Sequence, residues 1–248
     1  MCLYKGVSDN CLYYKQANMN DTVKKILVDK HNEMRRCIAK GIKYKPNHQN
    51  IPKAANMMKL EWNEQSARVA QKWAEQCQFK HDLCRKLEDM DNGQNIGSRF
   101  SKKQLTEIPY VELLEEMFEE IIKFNVSYID KFKMLSGTGH FTQLIWAKTK
   151  YIGCGASFYQ LREENNTYRL LLVCNYGPKG NMKGESIYIE GESCSSCPAG
   201  SICEDGLCTK HKKSSPYIQV STASSSTSVD LTVSLSIPVD STTSLPTA

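Results

Sequence analysis

Gly139-His140-Phe141-Thr142-Gln143-Leu144-Ile145-Trp146-Ala147-Lys148-Thr149 and, some thirty residues on, Leu171-Leu172-Val173-Cys174-Asn175-Tyr176-Gly177-Pro178-Lys179-Gly180-Asn181-Met182 are the two stretches on which the reading turns. Leu144-Ile145-Trp146 is apolar and rich in strand formers, so it reads as a short strand carrying His140 just before it. Residues 151–159 and 169–176 read as two further strands, separated by the polar turn Glu163-Glu164-Asn165-Asn166. A hairpin of these two puts Cys154 and Cys174 on facing strands, within reach of a disulfide.

Upstream the hydrophobic period changes from two to that of a helix. Val23, Ile26, Leu27, Met34 and Ile38 recur at helical spacing, with Asp21 or Thr22 placed to cap the start and Gly41 to stop it. A second helix is expected over 63–77, with Ala67, Ala70, Trp73, Ala74 and Cys77 as its apolar stripe. A third follows Pro109, with Leu113, Leu114, Met117, Phe118, Ile121 and Ile122 facing inward. Helices followed by short strands give an α+β class.

Eleven cysteines in 248 residues point to an oxidising compartment, hence to secretion. Sequons at Asn20, Asn125 and Asn165 agree with export and glycosylation. The chain opens Met1-Cys2-Leu3-Tyr4-Lys5 without an apolar leader, and its cysteine count is odd, so a truncated start is expected. No apolar run is long enough to span a membrane. The net charge of +5 is mild, and the one tight basic cluster is Lys210, Lys212 and Lys213 beside His211, too little for a nucleic-acid reader. Four units follow: a cysteine-containing N-terminal segment (1–21), a main domain (22–190), a small cysteine-rich module (191–213) and a disordered tail (214–248). Cys194, Cys197, Cys203 and Cys208 crowd a module too small to bury a core, so two disulfides of open pairing are expected, with zinc as the competing reading. The tail holds 17 Ser or Thr in 35 residues, which suits an O-glycosylated stalk.

The two opening stretches match the two signatures of the CAP superfamily along their whole length, and the chain resembles the venom allergen 5 (antigen 5) branch. Further echoes are Lys30-His31-Asn32 with Arg35, Trp73-Ala74-Glu75-Gln76-Cys77, Lys80-His81-Asp82, Cys84-Arg85 and Gly93-Gln94-Asn95-Ile96. The resemblance implies an α–β–α sandwich around a central antiparallel sheet. It also implies a cleft of two histidines and two acidic residues, which fall here on His81, His140, Glu120 and Gln94, with Met117 where Trp is usual. An amide at 94 neither binds metal as an anion nor moves protons. His81 and His140, perhaps with Glu120, fit a zinc site; the bland alternative is that both rings hydrogen-bond within the fold. For the cysteines the resemblance implies Cys154–Cys174, Cys2–Cys84, Cys11 with a cysteine upstream of this chain, and Cys37–Cys77; a free Cys37 is the alternative.

The function expected is that of a secreted, monomeric binding or effector protein of venom or saliva, an allergen type, with a sterol or lipid ligand or a host protein as partner and no required cofactor. Two rivals stand beside it. One is a zinc-dependent hydrolase with Glu120 as the candidate catalytic group; the other is a glycosylated matrix protein.

Overall fold

A computed structural model describes residues 4–164 and 166–210. The basic residues at 211–213, the tail, Cys2 and Asn165 therefore lie outside the described residues. In chain order the elements are β1 (Cys11–Gln16), α1 (Asp21–Lys40), β2 (Glu61–Trp62), α2 (Glu64–Ala74), β3 (Gly93–Ser101), α3 (Tyr110–Glu119), α4 (Gly139–Leu144), β4 (Tyr151–Leu161), β5 (Tyr168–Gly177), β6 (Ser201–Glu204) and β7 (Leu207–Lys210). One sheet runs β1-β4-β5-β3, all antiparallel, with β2 adding two residues parallel to β4.

Alternation along β5 explains the layers. Leu170, Leu172, Cys174 and Tyr176 join the core cluster that holds α1, α3 and α4. Leu171 and Val173 point the other way, onto Ala70, Trp73 and Ala74 of α2. A strand buried on both faces needs an unbroken apolar run, which Leu170-Leu171-Leu172-Val173 supplies. The result is the α–β–α sandwich. Cys154 and Cys174 are register partners and are bridged, as the hairpin reading required.

The cap of α1 lies one residue before the expected Asp21. Asn20 Oδ1 accepts the Val23 N–H, while Asp21 sits in the first turn, where a negative charge favours the helix N-terminus. Gly41 closes the helix with φ 66°, where a side chain would be strained. α2 ends at Ala74, before the expected limit, and Cys77 lies beyond it at φ 55°. In α3 the predicted inward residues are buried except Ile122, which is 56% exposed because the helix gives way to a 3-10 turn at Glu120–Lys123.

Three expectations are corrected. Cys77 bonds to Cys11, not to Cys37, which is a free thiol. The reason is topological: Cys37 sits on α1, whose core residues pack on one face of the sheet, and Cys77 follows α2 on the other. Cys11 therefore needs no upstream partner. Cys84 is disulfide-bonded, and its expected partner Cys2 lies outside the described residues. The third correction is that Leu144-Ile145-Trp146 is not a strand; the segment is helix α4 and the turn after it, so His140 stands on a helix.

That turn is held by Arg35, which is fully buried. Its guanidinium donates to the carbonyls of Met58, Leu144, Trp146, Ala147 and Thr149 at 2.7 to 3.2 Å. The two signature segments also bind each other. Gln143 Oε1 accepts the Gly180 N–H, Thr142 Oγ1 donates to Asn181 Oδ1, and Thr149 Oγ1 donates to the Pro178 carbonyl. β6 and β7 form a small hairpin with disulfides Cys194–Cys203 and Cys197–Cys208, so these sulfurs are covalently paired rather than free to bind zinc. Leu207 is buried in the main core, which anchors the hairpin there.

His31, wholly buried on α1, makes the fold acid-sensitive. Nδ1–H donates to the Leu27 carbonyl and Nε2 accepts from the Tyr176 hydroxyl. Burial, reinforced by the Arg35 charge, pushes its pKa down to about 4. The unfolded chain, titrating near 6.5, takes up the proton first. Stability is therefore complete above about pH 6.5 and falls as pH drops toward 4, by about 3 kcal/mol from this group alone. Urea unfolding at pH 7 and pH 4.5 should show this loss in the wild type and a shallower one in His31→Gln; equal slopes would contradict it.

Candidate functional site

His140 projects from α4 and Glu120 from the turn after α3, two elements that pack together. Glu120 Oε1 accepts His140 Nδ1–H at 2.8 Å, and Oε2 accepts the backbone N–H of His140 (2.8 Å) and of Phe141 (3.1 Å). Burial pushes the carboxyl up, but the His140 ring and these N–H groups outweigh it, and its pKa ends below the ordinary value. Glu120 is an ionised carboxylate with both oxygens committed. It can only accept, so His140 donates from Nδ1 and its Nε2 is left on the other edge of the ring.

His81 lies in the loop after α2 and is held in the same way by an amide. Gln94 Oε1 accepts the Asp82 N–H (2.9 Å) and His81 Nδ1–H (3.1 Å), while Gln94 Nε2 donates to Asn175 Oδ1 (3.0 Å). A backbone N–H can only donate, so the amide orientation is fixed and so is the His81 tautomer. Desolvation lowers the His81 pKa; the Gln94 hydrogen bond opposes this and the Arg85 guanidinium reinforces it. The imidazole is neutral near pH 7, the form that binds metal. Among the described residues neither Nε2 makes a hydrogen bond.

Two histidine–holder pairs result, His81 with Gln94 and His140 with Glu120, near enough that His140 acts electrostatically on His81. The rings face out and the Glu and Gln stand behind them, an arrangement that orients imidazole ligands and raises their basicity. Glu120, expected as a third ligand or catalytic group, hydrogen-bonds His140 and Phe141 through both oxygens. Among the described residues the one group of three close metal-ligating side chains is the disulfide-bonded set Cys194, Cys197 and Cys208, so no third ligand closes on the two rings. Asn175 was missed in the sequence: a polar residue inside the apolar run of β5 was its signal, and it is fully buried beside Gln94. Asp82 was missed too; its Oδ1 accepts from the Cys84 N–H and the Tyr4 hydroxyl, which braces the loop carrying His81.

Sequon residues Asn20 and Asn125 are exposed, although each side-chain oxygen caps a backbone N–H. Elsewhere, α1, α3 and the end of β3 enclose an apolar groove of about 600 Å³. Its lining includes Ile26, Phe100, Leu105, Ile108, Tyr110 and Val111.

The family model described as "CAP: Cysteine-rich secretory protein family" matches residues 28–176. The chain is 37% identical to "Venom allergen 5" of Vespula vidua, over 75% of this chain and 95% of that protein. It is 37% identical to "Venom allergen 3" of Solenopsis invicta, over 76% and 82%. It is 38% identical to "CRISP/Allergen/PR-1" of Trittame loki, of whose length the chain spans only 57%. Similar solved structures include BmVAL-1 (28% identity, TM-score 0.63, 79% of this chain and 98% of that one). Another is NaASP2 with Zn2+ (27%, 0.61, 82% and 100%).

Proposed function

Since the chain belongs to the cysteine-rich secretory protein (CAP) family, we propose that it is a secreted, non-enzymatic binding protein whose cleft takes a zinc ion through Nε2 of His81 and Nε2 of His140. The observation that carries this reading is the orientation of both rings, each tied at Nδ1, with Nε2 left without a hydrogen bond among the described residues. The similar NaASP2 is described with Zn2+, which supports the choice of metal. Two imidazoles are fewer than the three protein ligands of catalytic zinc sites, and Glu120 has no free oxygen to act as a base. Both facts favour binding over hydrolysis. The paired cysteines and the venom-allergen relatives support an exported protein. Calorimetry should give one zinc per chain, with affinity lost in the His81→Ala,His140→Ala double variant. Absence of binding, or binding unchanged in the variant, would contradict the site, and chelator-sensitive turnover lost in His140→Ala would make it an enzyme.

The apolar groove supports a second ligand, a sterol or fatty-acid chain, since about 600 Å³ lies within the range of small-molecule pockets. Flat partition curves for several lipids would rule that ligand out.

A further inference from the structure

On the far side of Glu120 its neighbour Glu119 holds another histidine. Glu119 Oε2 accepts from His48 Nε2 at 2.9 Å, and Lys45 Nζ donates to Glu119 Oε1 at 2.6 Å. The Lys45 ammonium leads the interactions that keep Glu119 ionised, so its carboxylate only accepts and His48 donates to it from Nε2. The other ring nitrogen, Nδ1, is buried with no hydrogen-bond partner, and the residue is 2% exposed. A buried polar atom without a partner costs about 1–3 kcal/mol, so this nitrogen calls for an occupant.

The cavity beside it is small. His48 and the free cysteine Cys37 both line it, with Tyr44, Gln49 and Phe118, and it measures about 10 Å³. Tyr44 stacks on the His48 ring at 6.1 Å, and Phe118 packs at 5.9 Å. Gln49 is tied to the carbonyls of Ile121 and Phe124. This volume is about that of one water-sized occupant. A divalent ion that keeps several waters has no room, and a hard cation finds no oxygen cage. A thiolate with an imidazole is a soft donor pair, of the kind that selects monovalent copper.

We propose that Cys37 Sγ and His48 Nδ1 form a binding site for one thiophilic monovalent cation of the copper(I) class, separate from the His81/His140 cleft. Binding forms an S–metal bond, releases the thiol proton to solvent and changes no oxidation state. Without the ion, burial holds the Cys37 thiol protonated and quiet.

The test uses the oxidised full chain carrying His81→Ala and His140→Ala, which removes the cleft. Copper(I), supplied as its acetonitrile complex under argon, is titrated against a chromophoric copper(I) chelator. One equivalent should bind, with affinity abolished in Cys37→Ser and reduced about tenfold or more in His48→Gln. No binding, or binding indifferent to His48→Gln, would overturn the proposal; the latter marks simple capture by an accessible thiol. X-ray absorption of the copper-loaded wild-type cleft-intact chain guards against misfolded variants. One sulfur and one nitrogen on a share of the copper supports the site, and absence of any sulfur ligand refutes it.

Discussion

Arg35→Leu is expected to destabilise the protein by about 4 kcal/mol, enough to leave little folded chain under ordinary expression conditions. Among the described residues the guanidinium has no carboxylate partner; burial lowers its pKa to about 9, which still leaves it charged at neutral pH. Its stability comes from five carbonyl oxygens arranged around its planar fork, four of them from 144–149. Leucine fills part of the volume but strands those carbonyls away from water, at about 1–3 kcal/mol for each one that finds no new donor. Lysine, a point donor without the fork, should recover only part of the loss. Urea denaturation of Arg35→Leu and Arg35→Lys measures both. A change below about 1 kcal/mol in Arg35→Leu would mean that the turn after α4 holds itself.

The second large effect belongs to Gly155. α2 crosses β4 so closely that a Cβ on Gly155 would lie 2.4 Å from Gln71 Cα and N, and one on Gly153 would lie 2.2 Å from Ala67 N. These neighbours are backbone, so no rotamer change relieves the clash; the helix must lift from the sheet. Around the contact, Gln71 Oε1 accepts the Ala156 N–H and Ser157 Oγ donates to the Ala74 carbonyl, bonds that lifting would break. Gly155→Ala should cost about 3 kcal/mol or more. Gly139→Ala serves as the contrast, because its Cβ would meet only Met134 at 3.6 Å and should change stability by less than about 0.5 kcal/mol. Similar losses in the two variants would refute the close-packing argument.

Sequence patterns carried the parts of the fold set by local chemistry. The apolar run of β5, the turn before it and the spacing of Cys154 and Cys174 gave the central hairpin. Gly41 marked the end of α1 because only a left-handed residue closes a helix in that way. β3 was not legible as a strand, since Gly93-Gln94-Asn95 are polar at positions that the fold buries in service of the site. Residues 144–146 read as a strand because apolar side chains give no sign that their carbonyls turn inward onto Arg35. The Cys11–Cys77 bridge depends on which face of the sheet each helix covers, which no local pattern encodes. In the cleft, resemblance located His81, His140, Glu120 and Gln94, but not the division between rings that face out and groups that hold them. That division follows from hydrogen-bond geometry alone.

The most direct measurement of that division is nitrogen NMR of the two imidazoles in the folded, oxidised chain at pH 8, before and after one equivalent of zinc. The account predicts that His81 and His140 both carry the proton on Nδ1, with a pyridine-type Nε2, and that zinc shifts both Nε2 resonances while the Nδ1–H bonds to Gln94 and Glu120 persist. Protons found on Nε2, or Nε2 resonances that zinc leaves in place, would contradict it.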